Sequence, residues 1–156
     1  MNSTEILDAI NARLLEKWPE RRTYINVCPV NYERPSFWLE VTRDDRTPVT
    51  QRMTKRNVQI RLTLHDEADE HYDINWQRLN NDVSACLKLM MQVLRVGASR
   101  LLPQLHSMPR DVDRAPILLN FEFMESNEET APEIPAADSY QISVQVNGGE
   151  IYQRSE

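Results

Sequence analysis

Apolar residues at Ile6, Ile10 and Leu14 recur every four positions, and Leu7 widens the stripe. Glu5, Asp8, Asn11, Arg13, Glu16 and Lys17 take the opposite side, so the spacing predicts an amphipathic helix over residues 3–17. Asn2 is placed to cap it, Glu5 three residues later completes a capping box, and Pro19 ends it. The period then changes from four to two. Residues 23–28 read as a first strand and residues 36–42 as a second, where Phe37, Leu39 and Val41 alternate with Trp38, Glu40 and Thr42. The third strand has the cleanest alternation in the chain: Val58, Ile60, Leu62 and Leu64 against Gln59, Arg61, Thr63 and His65. The second and third strands are expected to form an antiparallel hairpin. Residues 43–56 between them carry no apolar rhythm and read as a long connecting loop, a kind of segment that tends to bind something.

Helical spacing returns at Trp76, Leu79, Val83, Leu87, Met90 and Leu94, which predicts a second helix over residues 75–96 capped by Gly97. Such a helix is about 33 Å long, enough to cross a whole sheet face. Pro103, Pro109 and Pro116 punctuate an irregular stretch over residues 98–116. Ile117, Leu119, Phe121 and Phe123 make a fourth strand, and Tyr140, Ile142, Val144 and Val146 a fifth, with Gly148 and Gly149 opening a loose tail. The expected fold class is α+β: a mostly antiparallel sheet of about five strands with two helices packed on one face.

With 156 residues the chain can bury a real core without metals or disulfides. Apolar residues at 40 % and charged residues at 27 % are an ordinary globular balance, which argues against wholesale disorder. A net charge of −6 gives no overall field for nucleic acid. Cys28 and Cys86 share no metal-like spacing and read as two buried thiols in a reducing compartment. There is no basic, apolar leader at Met1 and no run long enough to span a membrane, so the expectation is a soluble protein made in the cytoplasm with no membrane partner.

No catalytic signature competes with this architecture. The run His65-Asp66-Glu67-Ala68-Asp69-Glu70-His71, with Asp73 beyond, holds enough imidazole and carboxylate for a metal. Its spacing matches neither the two-histidine zinc helix nor a calcium loop. A solvated strand-to-helix connection, its negative charge favouring the helix N-terminus, accounts for it better. Neither cysteine has a base beside it in the sequence, and His106 stands without a partner. Three glycines in all leave no phosphate-cradling loop, so the expectation is no enzyme, no cofactor and no metal.

Charge, by contrast, is segregated. Arg43, Arg46, Arg52, Lys55 and Arg56 concentrate basic residues between the second and third strands, against only Asp44 and Asp45. They read either as a contact arm for an acidic surface or passing DNA, or as a solvated hairpin tip whose charges discourage aggregation. Glu128, Glu129 and Glu133 give residues 126–138 the opposite sign. A basic arm and an acidic loop on one chain could pair between copies in a head-to-tail ring. Trp38, on the outer face of its strand, either packs under another element or marks a subunit contact.

Glu33-Arg34-Pro35-Ser36-Phe37-Trp38-Leu39-Glu40-Val41 opens a charged pair and a proline directly onto the second strand. Together with the opening helix, the strand before it, the interrupted hairpin, the long second helix and the strand at 118–123, it resembles the small tail terminator proteins of phages and prophages. The resemblance covers roughly residues 3–125, and Arg34-Pro35-Ser36-Phe37 is its most specific part. It implies a structural subunit, located in the virion at the head-proximal end of the tail and assembled in the host bacterial cytoplasm. Such a subunit closes into a ring of about six copies, ends tail polymerisation and offers a docking surface to the head. The implied partners are further copies of the chain, the tail tube protein and a head–tail connector or stopper, with DNA passing through without specific binding. Residues 1–125 would form the terminator-like domain, and residues 126–156 an acidic loop, a strand and a tail added to it. The alternatives are another head–tail joining or tail tube subunit, or a small metal- or ligand-binding module built on the His65 to Asp73 run.

Overall fold

The structure, a computed structural model, describes residues 1–67, 71, 73–111 and 113–127, and the backbone strands at residues 141–146 and 149–155. Helix α1 (Ser3–Lys17) carries the expected capping box, with the Asn2 side chain accepting from the backbone and Glu5 answering from the third helical position. Ile6, Leu7, Ile10 and Leu14 bury its apolar stripe. The Trp18 N–H closes the last turn on the Leu14 carbonyl. Trp18 then tilts against Phe37, with ring centroids 5.3 Å apart, a favourable aromatic geometry.

β1 (Arg22–Ile25), β2 (Ser36–Thr50), β3 (Met53–His65), β6 (Gln104–Ser107) and β7 (Arg114–Ser126) form one sheet in the order β1-β2-β3-β7-β6. β1 runs parallel to β2, and every other pairing is antiparallel. Phe37 and Leu39, Val58 to Leu64 at alternate positions, and Ala115, Ile117, Leu119 and Phe121 line one face. Helix α2 (Trp76–Met90) buries Leu79, Val83, Cys86 and Met90 in the same core as α1 and that face. The α+β architecture therefore holds, with a mixed rather than fully antiparallel sheet.

Four expectations are corrected. Residues 43–56 are not a loop: β2 and β3 stay paired to Thr50 and Met53, with a turn at Gln51 and Arg52. The apolar rhythm stops because the sheet runs past its core. At Thr47 to Lys55 both faces meet water and no alternation is needed.

Helix α2 ends at Met90 rather than near residue 96. Leu94 and Val96 are buried on either side of exposed Arg95, a two-residue period that forms β4 (Leu94–Val96), paired with β5 (Ser99–Leu101). Arg13 secures the change by donating from Nη1 to the Gln92 carbonyl and from Nη2 to the Val93 carbonyl, at 2.9 and 2.6 Å. Gly97, with φ of 56°, belongs to the tight turn between β4 and β5 and not to a helix cap. Residues 98–116, expected to be irregular, supply β5, β6 and the start of β7. β8 (Gln141–Val146) and β9 (Gly149–Ser155) form a separate antiparallel hairpin, so the predicted fifth strand is not a member of the main sheet and the expected loose tail carries a strand.

Candidate assembly surface

The four residues from Arg34 to Phe37 sit where a loop meets the sheet, and each is used. The Arg34–Pro35 peptide bond is cis. Arg34 Nη2 donates to Asp113 Oδ2 at 2.6 Å and to the Tyr32 hydroxyl at 2.7 Å. That hydroxyl in turn donates to the same carboxylate at 2.9 Å. Burial alone would raise the Asp113 pKa, but the bonds from Tyr32 and Arg34 outweigh it and hold the carboxyl below its usual range. Tyr32 stacks on His65 with centroids 4.0 Å apart. Ser36 Oγ lies 3.0 Å from His65 Nδ1, and Phe37 enters the core. The motif thus fixes the loop to the end of β3 and the start of β7.

A serine against a histidine is the first half of a nucleophile–base pair, and this one is not visible in the sequence spacing. Ser36 is 0 % and His65 2 % exposed, which seals the pair from any substrate. Burial first, and the Arg114 cation second, push the His65 pKa down to about 4, leaving a weak base. The contact is architectural.

Of the run that suggested a metal site, Asp69 and Glu70 lie outside the described residues, and the described residues up to Glu67 turn to other partners. His65 points to Ser36, Asp66 accepts from Arg78 Nε at 3.0 Å, and Glu67 from Arg78 Nη1 at 3.2 Å. Among the described residues no group of three such side chains faces a common point. Cys28 is half-buried rather than buried, and burial pushes the Cys86 thiol up to about 12. Both are free.

The basic residues divide between two roles. Arg43 pairs with Asp45 and Lys55 with Glu122, all on the surface. Arg46 and Arg52 are exposed and form no ion pair with a described residue. Arg56 is not part of an exposed arm, because its side chain is 1 % exposed. It forks onto Asp44 at 2.8 and 2.7 Å, donates to the Met1 carbonyl and lies 3.5 Å from Glu125. The terminal ammonium donates to Glu125 at 2.8 Å. These contacts hold the carboxyls of Asp44 and Glu125 below their ordinary range. Beyond them Asn127 ties the end of β7 to the hairpin turn, its N–H bonding the Arg52 carbonyl at 2.8 Å. Glu128, Glu129 and Glu133 lie outside the described residues.

Trp38 is half-buried on the face of the sheet away from the helices. The Arg61 guanidinium stands 5.8 Å from its ring and pairs with Glu40. Trp38, Arg61 and Thr63 floor an open groove of about 540 Å³ whose rim carries Pro109, Arg110 and Arg114. Neither helix covers it.

A family model described as phage tail terminator protein matches residues 5–101, from the first turn of α1 to the end of β5. The chain belongs to the phage tail terminator family. No curated protein matches it. Membership makes it a structural component of a phage tail, in a family that is not typically enzymatic. The match spans the Arg34–Phe37 motif and the whole β2–β3 hairpin, while β6 and β7 complete the sheet beyond it.

For this tail terminator the sequence pattern marked Arg43, Arg46, Arg52, Lys55 and Trp38 as surface candidates, and the structure leaves all five at least partly accessible. It does not bring them together. Trp38 pairs with Thr63 and Lys55 with Thr47, nine residues apart along β2. The residues missed were Tyr32 and Asp113, brought to His65 by loops, and Arg114, its partner across the β3–β7 ladder; none of them carries a periodic signal.

Proposed function

We propose that this tail terminator closes into a ring of about six copies at the head-proximal end of the tail tube, where it ends polymerisation and presents a docking surface to the head connector. The family match over residues 5–101 carries the reading. Ring closure needs two different surfaces on each copy, since a head-to-tail contact is heterologous. The basic tip at Arg43, Arg46, Arg52 and Lys55 is one, with Glu128, Glu129 and Glu133 of the neighbouring copy as its complement. Trp38 and its groove offer the outer sheet face to the tube or the connector, a part-exposed tryptophan beside arginines being a common kind of anchor. Residues 1–125 act as the ring-forming domain, and β8 and β9 extend it toward a neighbour or the head. DNA passes through the ring without specific contacts.

Deleting the coding sequence from its phage or prophage tests the role. The expected particles are tails of uncontrolled length, separate from filled heads, restored to normal by the intact chain in trans. Tails of normal length joined to heads would overturn the reading.

A further inference from the structure

The flanking strands of the sheet are finished at one end and left open at the other. At the first end, β1 covers β2 over Ser36 to Leu39, and the Asn26 N–H caps the Leu39 carbonyl at 2.7 Å. On the opposite side β6 covers β7 over Ile117 to Asn120. The Met108 and Asp111 N–H groups close the Pro116 and Arg114 carbonyls just before it. Past these points no described strand pairs with the outer edge of β2 over residues 41–50 or with that of β7 over residues 121–126. The two open edges are level with each other. Asp44 is matched through Val58 to Phe121, and Thr47 through Lys55 to Met124. Each edge also holds a large exposed apolar side chain, Val49 at 55 % and Met124 at 48 %.

Resting on the ring reading above, we propose that these edges are the two halves of the joint between copies: the outer edge of β7, residues 121–126, pairs in parallel with the outer edge of β2, residues 41–50, of the next copy. The direction follows from topology. β2 and β7 are both antiparallel to β3 and hence parallel to each other. Copies related by rotation about a ring axis keep their strands pointing the same way, so β7 meets the neighbour's β2 in parallel. An unpaired edge is a template for another strand. The β7 edge is acidic through Glu122 and Glu125, whereas on the β2 edge Arg43 and Arg46 are balanced by Asp44 and Asp45, so two like-charged edges do not meet. Pro48 and the register shifts near residues 42 and 49 keep β2 from accepting an arbitrary strand. Three long strands per copy and about six copies make roughly eighteen strands, a size at which a closed sheet leaves an open channel.

The test is disulfide capture across the joint in a Cys28→Ser background. Met124→Cys is combined in turn with Asp45→Cys, Thr47→Cys and Val49→Cys, which sample three registers. Light scattering on each variant records ring mass, and non-reducing gels after mild oxidation record covalent species. The expected result is a ladder of multimers from at least one pair, ending at the copy number of the ring, with every single-cysteine variant blank. Rings of normal mass with no ladder from any pair would overturn the joint and leave the ring standing. A cross-linked dimer from one cysteine alone would also overturn it, since that edge would be meeting itself. A monomer at every concentration would remove the ring reading and the joint together.

Discussion

The two ends of the central sheet each gather polar groups around an arginine, half-buried at one end and fully buried at the other, in opposite surroundings. At the closed end Arg34 is one member of a packed cluster with Tyr32, Asp113 and His65, set beside the Trp18–Phe37 contact and backed by the core. At the open end Arg56 is the cluster: Asp44, Glu125 and the Met1 carbonyl gather on it, and its remaining cover is Phe123 and the start of α1. The first end is held by apolar area with polar groups fitted into it. The second is held by charge, with little apolar area behind it. Among the described residues, the end that contributes least to the core is also the one whose outer strand edges have no partner strand.

Substitutions at the two ends should differ in size and in kind. Phe37→Ala removes a fully buried ring at the closed end and is expected to cost about 3–5 kcal/mol in urea denaturation. Acid should act there next. His65 has a folded pKa of about 4 against an ordinary 6.5. The stability linked to its neutral form is complete above pH 6.5 and is lost as pH falls through 4, about 3 kcal/mol in all. His65→Gln should flatten the pH dependence of the denaturation midpoint across that window. At the open end Arg56→Ala strips Asp44 of its forked partner and leaves Glu125 only the terminal ammonium. Both carboxylates keep some solvent, so the expected loss is about 2 kcal/mol, below the cost of stripping a fully enclosed pair. Arg46, Arg52 and Lys55 changed together to Glu should shift the midpoint by less than about 0.5 kcal/mol, as exposed positions do. The same triple change should weaken self-association at least tenfold by light scattering. A large stability loss with unchanged association would reverse the proposed division of labour.

Much of this contrast was legible in the residues. Ile6 to Leu14, Val58 to Leu64 and Leu79 to Met90 stand at periods that match the faces they bury, so the helices, the hairpin and the fold class could be read directly. Periodicity reports burial, however, and it fails where strands leave the core. Residues 43–56 looked like a loop for that reason alone. The end of α2 was misread because Leu94 fits both a helical stripe and the two-residue period of β4, and Arg13, far away in the chain, decides between them. Arg56 looked like one cation among five because its burial depends on Met1 and Glu125, 55 residues before it and 69 after. The Arg34–Phe37 motif was recognisable as a family mark, but its work depends on Asp113 and His65, which only the folded chain brings to it.

Gold labelling of a tagged chain on intact phage tails, viewed by negative stain, tests the terminator reading most directly. The account predicts one cluster of label per particle, at the junction of tail and head. Label distributed along the tube, or confined to the distal tip, would contradict it and assign the chain to another part of the tail.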